Sequence, residues 1–152
     1  MNRALVTVHW SLVTVAAACI LAIPETAAAQ TTAPDSIRST RTGVYTSEQA
    51  VRGSDLYALN CVSCHTAASH AGPAFIAKWQ GRELSELFAY MRSEMPKSDP
   101  GSLSRHEYVL VLAYLLKLNG MPAGPAELPA DSLALSRIRI ELKPTVDPFR
   151  ER

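Results

Sequence analysis

Charge of one sign is what this chain most plainly lacks: 15 Lys and Arg stand against 14 Asp and Glu, a net charge of +1. That is too little for long-range attraction to nucleic acid or to anionic lipid, so neither is implied as a partner. Cysteine is scarce as well, with only Cys19, Cys61 and Cys64 in 152 residues. No internal repeat is present, and no segment alternates polar and apolar residues well enough to predict a strand. The length suits one domain with flanking segments and does not comfortably hold two. An apolar fraction of 47% is ordinary, but part of it falls in the first 23 residues and does not belong to the core.

Those first residues read as an export signal. A short positive start at Met1, Asn2 and Arg3 precedes an apolar stretch from Leu12 to Ile23, and Ala27-Ala28-Ala29 has the small-residue pattern of a cleavage site before Gln30. A retained membrane anchor is the rival reading, because Leu5 to Ile23 spans 19 residues, close to bilayer length. Either way the remainder lies outside the cytoplasm, in the periplasm or its equivalent, with membrane contact only if the segment is retained. Loss of residues 1–29 removes Cys19 and leaves two cysteines three apart. A disulfide between them closes a tiny loop and constrains the unfolded chain little, so chemistry explains the pair better than stability does.

Residues 30–42 form a polar, Pro- and Ala-containing leader expected to be flexible. Thr46 and Gln49 have capping-box spacing and predict a first helix from near Ser47 toward Asn60, with Val51, Gly53 and Tyr57 facing the core. Leu84, Leu87, Phe88 and Met91 follow helical spacing and predict a second helix between Arg82 and Ser93, ended by Met95-Pro96. Ser104 and Glu107 form another capping box, and Tyr108, Val111, Leu112 and Leu115 continue a third helix to the Asn119-Gly120 stop. Residues 121–129 are rich in Pro, Gly and Ala and read as a connector. Leu133, Leu135, Ile138 and Ile140 suit either a short helix or an extended tail.

Cys61-Val62-Ser63-Cys64-His65 has the C-x-x-C-H spacing of covalent haem attachment. Two thiols on one turn can each add to a vinyl group of the same macrocycle, and the next residue offers its imidazole to the iron. A structural zinc site would need a second ligand pair, and beyond Cys61, Cys64 and His65 the segment after residue 29 offers only His70 and His106, far apart in sequence. A thiol-disulfide oxidoreductase would place the pair beside a βαβ pattern, which is absent.

The run Gly43-Val44-Tyr45-Thr46, Gly53, Tyr57, Cys61 to His65 and Gly72-Pro73-Ala74-Phe75 resembles a class I c-type cytochrome. Met95-Pro96, Pro100-Gly101-Ser102-Leu103-Ser104, Ala113-Tyr114 and Asn119-Gly120 resemble a bacterial branch of that class associated with quinoprotein dehydrogenases. The resemblance covers about residues 43–124, leaving 125–152 as a C-terminal extension. It implies an all-α fold with three principal helices wrapped around one covalently bound haem c, and the first helix crossing the last where Gly53 and Tyr57 meet Val111 and Tyr114. It further implies that the Pro73 carbonyl accepts a hydrogen bond from His65, unless Gly72-Pro73 is an ordinary turn. Trp79 is either a core residue or a donor to a haem propionate.

Among Met91, Met95, Met121, His70 and His106, Met95 is the expected sixth ligand. Met91 lies on the apolar face of a helix, Met121 follows the last helix, His70 is close in sequence to His65, and His106 sits in a capped first turn. Met95 stands at a helix end where Pro96 releases the backbone, and the resemblance favours the same residue. His and Met together fill the iron and raise its potential. The expected function is therefore one-electron transfer in the periplasm, not enzymatic catalysis, with redox proteins as partners: a quinoprotein dehydrogenase as donor and an oxidase or another cytochrome as acceptor. The alternatives are a haem enzyme or gas sensor with an open coordination position, and a binding module without haem. Lys78, Arg92 and Lys97 are candidates for a basic rim around the haem edge.

Overall fold

The computed structural model describes residues 36–142. The expected signal segment, the start of the leader and the end of the extension lie outside the described residues. Five α-helices follow in order: α1 (Ser47–Asn60), α2 (Pro73–Trp79), α3 (Leu84–Glu94), α4 (Arg105–Leu118) and α5 (Ser132–Ser136). The fold is mostly helical.

Local chemistry explains where the long helices begin. The Thr46 and Ser104 side chains each accept a hydrogen bond from the N–H of the third helical residue, Gln49 and Glu107 respectively, whose side-chain oxygen in turn accepts from the cap N–H. At the start of α3 the Glu83 N–H donates to the Glu86 carboxylate at 3.1 Å and the Glu83 carbonyl accepts from the Glu86 N–H at 3.1 Å. Buried side chains surround α4, from Tyr108 through Leu116, so it is the central helix of the domain. α1 packs on α4 more extensively than any other pair of elements meets. The point of closest approach is Gly53, where a Cβ would fall 1.8 Å from the Leu110 carbonyl oxygen and 3.1 Å from Tyr114 Cβ.

Val51 does not face the core as the sequence suggests, being 53% exposed. The buried stripe of α1 runs through Gln49, Ala50, Gly53 and Tyr57, and a residue six positions before Tyr57 falls off that stripe on a 3.6-residue period. α2 is also absent from the sequence reading, because Gly72-Pro73 looks like a turn. Proline is well placed at the first helical position, where its missing N–H costs nothing, and Phe75 and Trp79 bury the two core positions one turn apart.

Against the expectation of no strands, Arg38–Ser39 (β1) pairs in parallel with Ile138–Arg139 (β2). Strands of two residues are too short for alternation to register. The end of the leader is ordered by this pairing rather than free. Thr40 is fully buried, its hydroxyl donating to the Glu141 carbonyl at 3.0 Å and accepting from the Glu141 N–H at 2.9 Å. The tail takes both of the forms open to it, helix α5 followed by β2, with Leu135, Ile138 and Ile140 buried and Leu133 exposed. Between α4 and the tail, the connector is wrapped. Gln49, itself fully buried, donates to the Leu128 carbonyl at 3.0 Å and accepts from its N–H at 2.7 Å.

Candidate functional site

At the end of α1 the chain tightens into a turn. The Cys61 N–H donates to the Tyr57 carbonyl at 2.9 Å, and the Cys61 carbonyl then accepts from both the Cys64 and His65 N–H groups, at 3.1 and 2.9 Å. This winding carries both sulfurs and the imidazole to one side, where Cys61, Cys64 and His65 line a single cavity of about 440 Å³. Cofactor sites commonly measure about 300 to 1,000 Å³. No disulfide joins the two cysteines, and Cys64 is exposed while Cys61 is partly buried. Burial pushes the Cys61 thiol above its ordinary range, the opposite of the depressed pKa that a thiol-disulfide catalyst needs.

The other walls come from three helices and the segment after α3. α2 contributes Phe75 and Trp79, α3 contributes Leu87, Tyr90 and Met91, α4 contributes Val111 and Leu115, and residues 95–98 close the side beyond α3. Two thiols, the imidazoles of His65 and His70 and the thioether sulfurs of Met91 and Met95 therefore open on a largely apolar cleft. That donor set suits a flat apolar macrocycle with a central iron. Among the described residues no cluster of three or more His, Cys, Asp and Glu side chains is placed to hold a bare metal ion.

Of the residues singled out in the sequence, Cys61, Cys64, His65, Trp79 and Met95 meet at this cavity. Pro73 opens α2 next to it without lining it. Trp79 is 6% exposed and packs against the Tyr90 ring, centroids 5.6 Å apart and planes tilted by 58°, so it is a core residue. Lys78 and Lys97 reach the cavity, whereas Arg92 lies over the Phe88 ring at 5.7 Å and is not part of the lining. Lys97 pairs with Glu94 at 2.8 Å on the surface, an interaction that contributes little to stability.

The five candidates for a second iron ligand divide cleanly. Met91, Met95 and His70 line the cavity. Met121 borders a different cleft, beside Ser39 and Glu141, and His106 is exposed, within 3.2 Å of Arg52. The His70 ring sits 4.5 Å from that of His65, on the same side of the cavity. Burial, with His65 and then Lys78 nearby, pushes the His70 pKa below the ordinary histidine range. Asn119, read in the sequence only as a helix stop, clamps this side: its side chain donates to the His70 carbonyl at 2.9 Å and accepts from the Gly72 N–H at 3.0 Å. A single Asn after a helix carries no signal of that kind.

Residues 48–115 match the family described as cytochrome C oxidase, cbb3-type, subunit III. The match runs from the first turn of α1 into α4 and takes in Cys61 to His65 and Met95. It supports a c-type cytochrome. Comparison with curated proteins and with solved structures finds no match. A cytochrome c domain implies a haem c cofactor, redox proteins as partners and electron transfer as the function, and the thiols, imidazole and apolar walls of this cavity fit that cofactor.

Proposed function

We propose that this chain is a periplasmic one-electron carrier holding one haem c, with thioether bonds at Cys61 and Cys64 and with His65 and Met95 as axial iron ligands. The observation that carries the reading is the convergence of both thiols, His65 and Met95 on one apolar cavity. When bound, the haem supplies a single iron that gains and loses one electron.

What the chain contributes is ligation and shielding. His70 stands beside His65 and so on the wrong side to complete the coordination opposite it. Met91 is 7% exposed on the apolar face of α3 with Leu84, Leu87 and Phe88, where methionine serves as core filler. Met95 caps α3 in an extended conformation, φ −134° and ψ 149°, which lets its side chain leave the helix direction. Two protein ligands leave no position for substrate, which favours electron transfer over catalysis or gas sensing. Phe75, Leu87, Val111 and Leu115 would shield the cofactor from water, and Pro73 is the proposed carbonyl acceptor for the His65 imidazole, a bond that would fix the ring orientation. Trp79 is the proposed donor to a propionate. A dehydrogenase of the quinoprotein class is the proposed electron donor and an oxidase or second cytochrome the acceptor.

Visible spectroscopy tests the reading. The protein is expected to show six-coordinate low-spin haem with a charge-transfer band between methionine sulfur and ferric iron. Met95→Ala is expected to abolish that band, lower the reduction potential and admit carbon monoxide or cyanide. A five-coordinate high-spin wild type would favour the enzyme or sensor instead, and a band lost in Met121→Ala but kept in Met95→Ala would reassign the ligand.

Export is part of the same proposal, supported by the apolar run and Ala27-Ala28-Ala29. Intact mass of the exported protein is expected to correspond to a chain starting at or near Gln30. A mass that retains residues 1–29 would replace cleavage with anchoring.

A further inference from the structure

Residues 95–104 cross from α3 to α4 with little packing: residues 97–102 are all exposed. Two short turns fold this segment locally, from the Asp99 N–H to the Pro96 carbonyl at 3.0 Å and from the Ser102 N–H to the Asp99 carbonyl at 3.2 Å. Neither bond ties it to the core. Tyr108 does. Its ring is 1% exposed in the first turns of the central helix α4, and its hydroxyl donates to the Met95 carbonyl at 2.6 Å while accepting from the Gly101 N–H at 3.1 Å. With the Met95 N–H bound to the Met91 carbonyl at 3.0 Å, the Met95 main chain is gripped from both helices.

We propose that Tyr108 is a positioning residue for the sixth ligand, its hydroxyl tying the Met95 main chain to α4 and so holding the thioether in place against competing ligands. The proposal rests on Met95 being that ligand. An outside ligand reaches the iron only when Met95 swings away, and its apparent affinity scales with the fraction of molecules in the open form. Opening breaks the Tyr108 bond, so that bond suppresses the open form. Its loss should raise the open fraction by about what one net hydrogen bond is worth, roughly fivefold to tenfold.

The test is imidazole titration of the ferric holoprotein, followed by visible spectra, with Tyr108→Phe, Tyr45→Phe and Met95→Ala beside the wild type. Tyr108→Phe keeps the buried ring and removes only the hydroxyl. Tyr45→Phe is the control, since the Tyr45 hydroxyl donates to a backbone carbonyl at the same 2.6 Å, that of Met121, away from the cavity. The expected result is imidazole affinity raised roughly fivefold to tenfold in Tyr108→Phe, with the methionine charge-transfer band still present before titration, and wild-type affinity in Tyr45→Phe. Wild-type affinity in Tyr108→Phe, beside loss of the band in Met95→Ala, overturns the role of Tyr108 and leaves the ligand assignment standing. An equal rise in Tyr45→Phe also overturns it, because the effect is then general softening. Retention of the band in Met95→Ala overturns the ligand assignment and this proposal with it.

Discussion

Gly53→Ala is expected to lower the midpoint of thermal unfolding of the holoprotein by roughly 12 to 25 °C, the equivalent of about 3 kcal/mol in a domain of this size. The added methyl carbon would lie 1.8 Å from the Leu110 carbonyl oxygen and 2.5 Å from its carbon. Both atoms belong to the backbone of α4 and cannot rotate aside, so α1 and α4 must separate along their most extensive contact. Elsewhere in a helix the same change would stabilise by about 1 kcal/mol, because alanine is the better helix former. The sign of the effect therefore decides the matter: an unchanged or raised midpoint would mean that the helices do not cross at Gly53. Val51→Ala, on the exposed side of the same helix, should stay within about 0.5 kcal/mol of wild type.

Gly53 also marks what a sequence reading reaches. A glycine inside an otherwise helical stretch signals close approach by another backbone, and the residues named for that approach, Val111 and Tyr114, flank or meet the contact made at Leu110 and Tyr114. Capping boxes are equally legible, because donor and acceptor lie three residues apart, and those at Thr46 and Ser104 begin their helices as the spacing predicts. Glu83 escapes notice at the start of α3, since a long carboxylate is an uncommon cap. Val51 is misplaced because the large apolar residues of α1, Val51, Leu56, Tyr57 and Leu59, do not fall on one face, and Leu59 is exposed as Val51 is.

Less of the tertiary wrapping can be read. Thr40 bonds Glu141 and Gln49 bonds Leu128, and nothing local distinguishes these polar side chains from solvated ones. Asn119 and Tyr108 belong to the same class, for their bonds to residues 70, 72 and 95 depend on where α4 lies. At the site the difference is sharp. The thiols and His65 are legible because one turn holds all three, whereas a second ligand must come from a distant segment, so methionines and histidines compete for the part until the chain is folded. Folding removes Met121 and His106 from the cavity and leaves Met95 with two rivals.

Replacing both Cys61 and Cys64 with Ala is expected to abolish covalent haem and most of the cooperative unfolding transition together. The cavity walls Phe75, Leu87, Met91, Val111 and Leu115 belong to the same core that joins α2, α3 and α4, and without a macrocycle between them they border an open cleft. A chain this small buries little apolar surface to spare. The whole stability of such a domain is commonly about 5 to 15 kcal/mol, and the expected loss is of that order. The proposed attachment through two thioethers would also make the cofactor part of the unfolded chain, unable to dissociate when the fold opens. In the wild type, haem should accordingly stay with the polypeptide on a denaturing gel, visible by its peroxidase stain, and in the double variant the stain should vanish while circular dichroism shows a broad, weak melt. Haem extracted intact from the wild type by acidic organic solvent would rule out thioether attachment. A sharp thermal transition in a double variant free of haem would show instead that the helices around α4 stand without the cofactor.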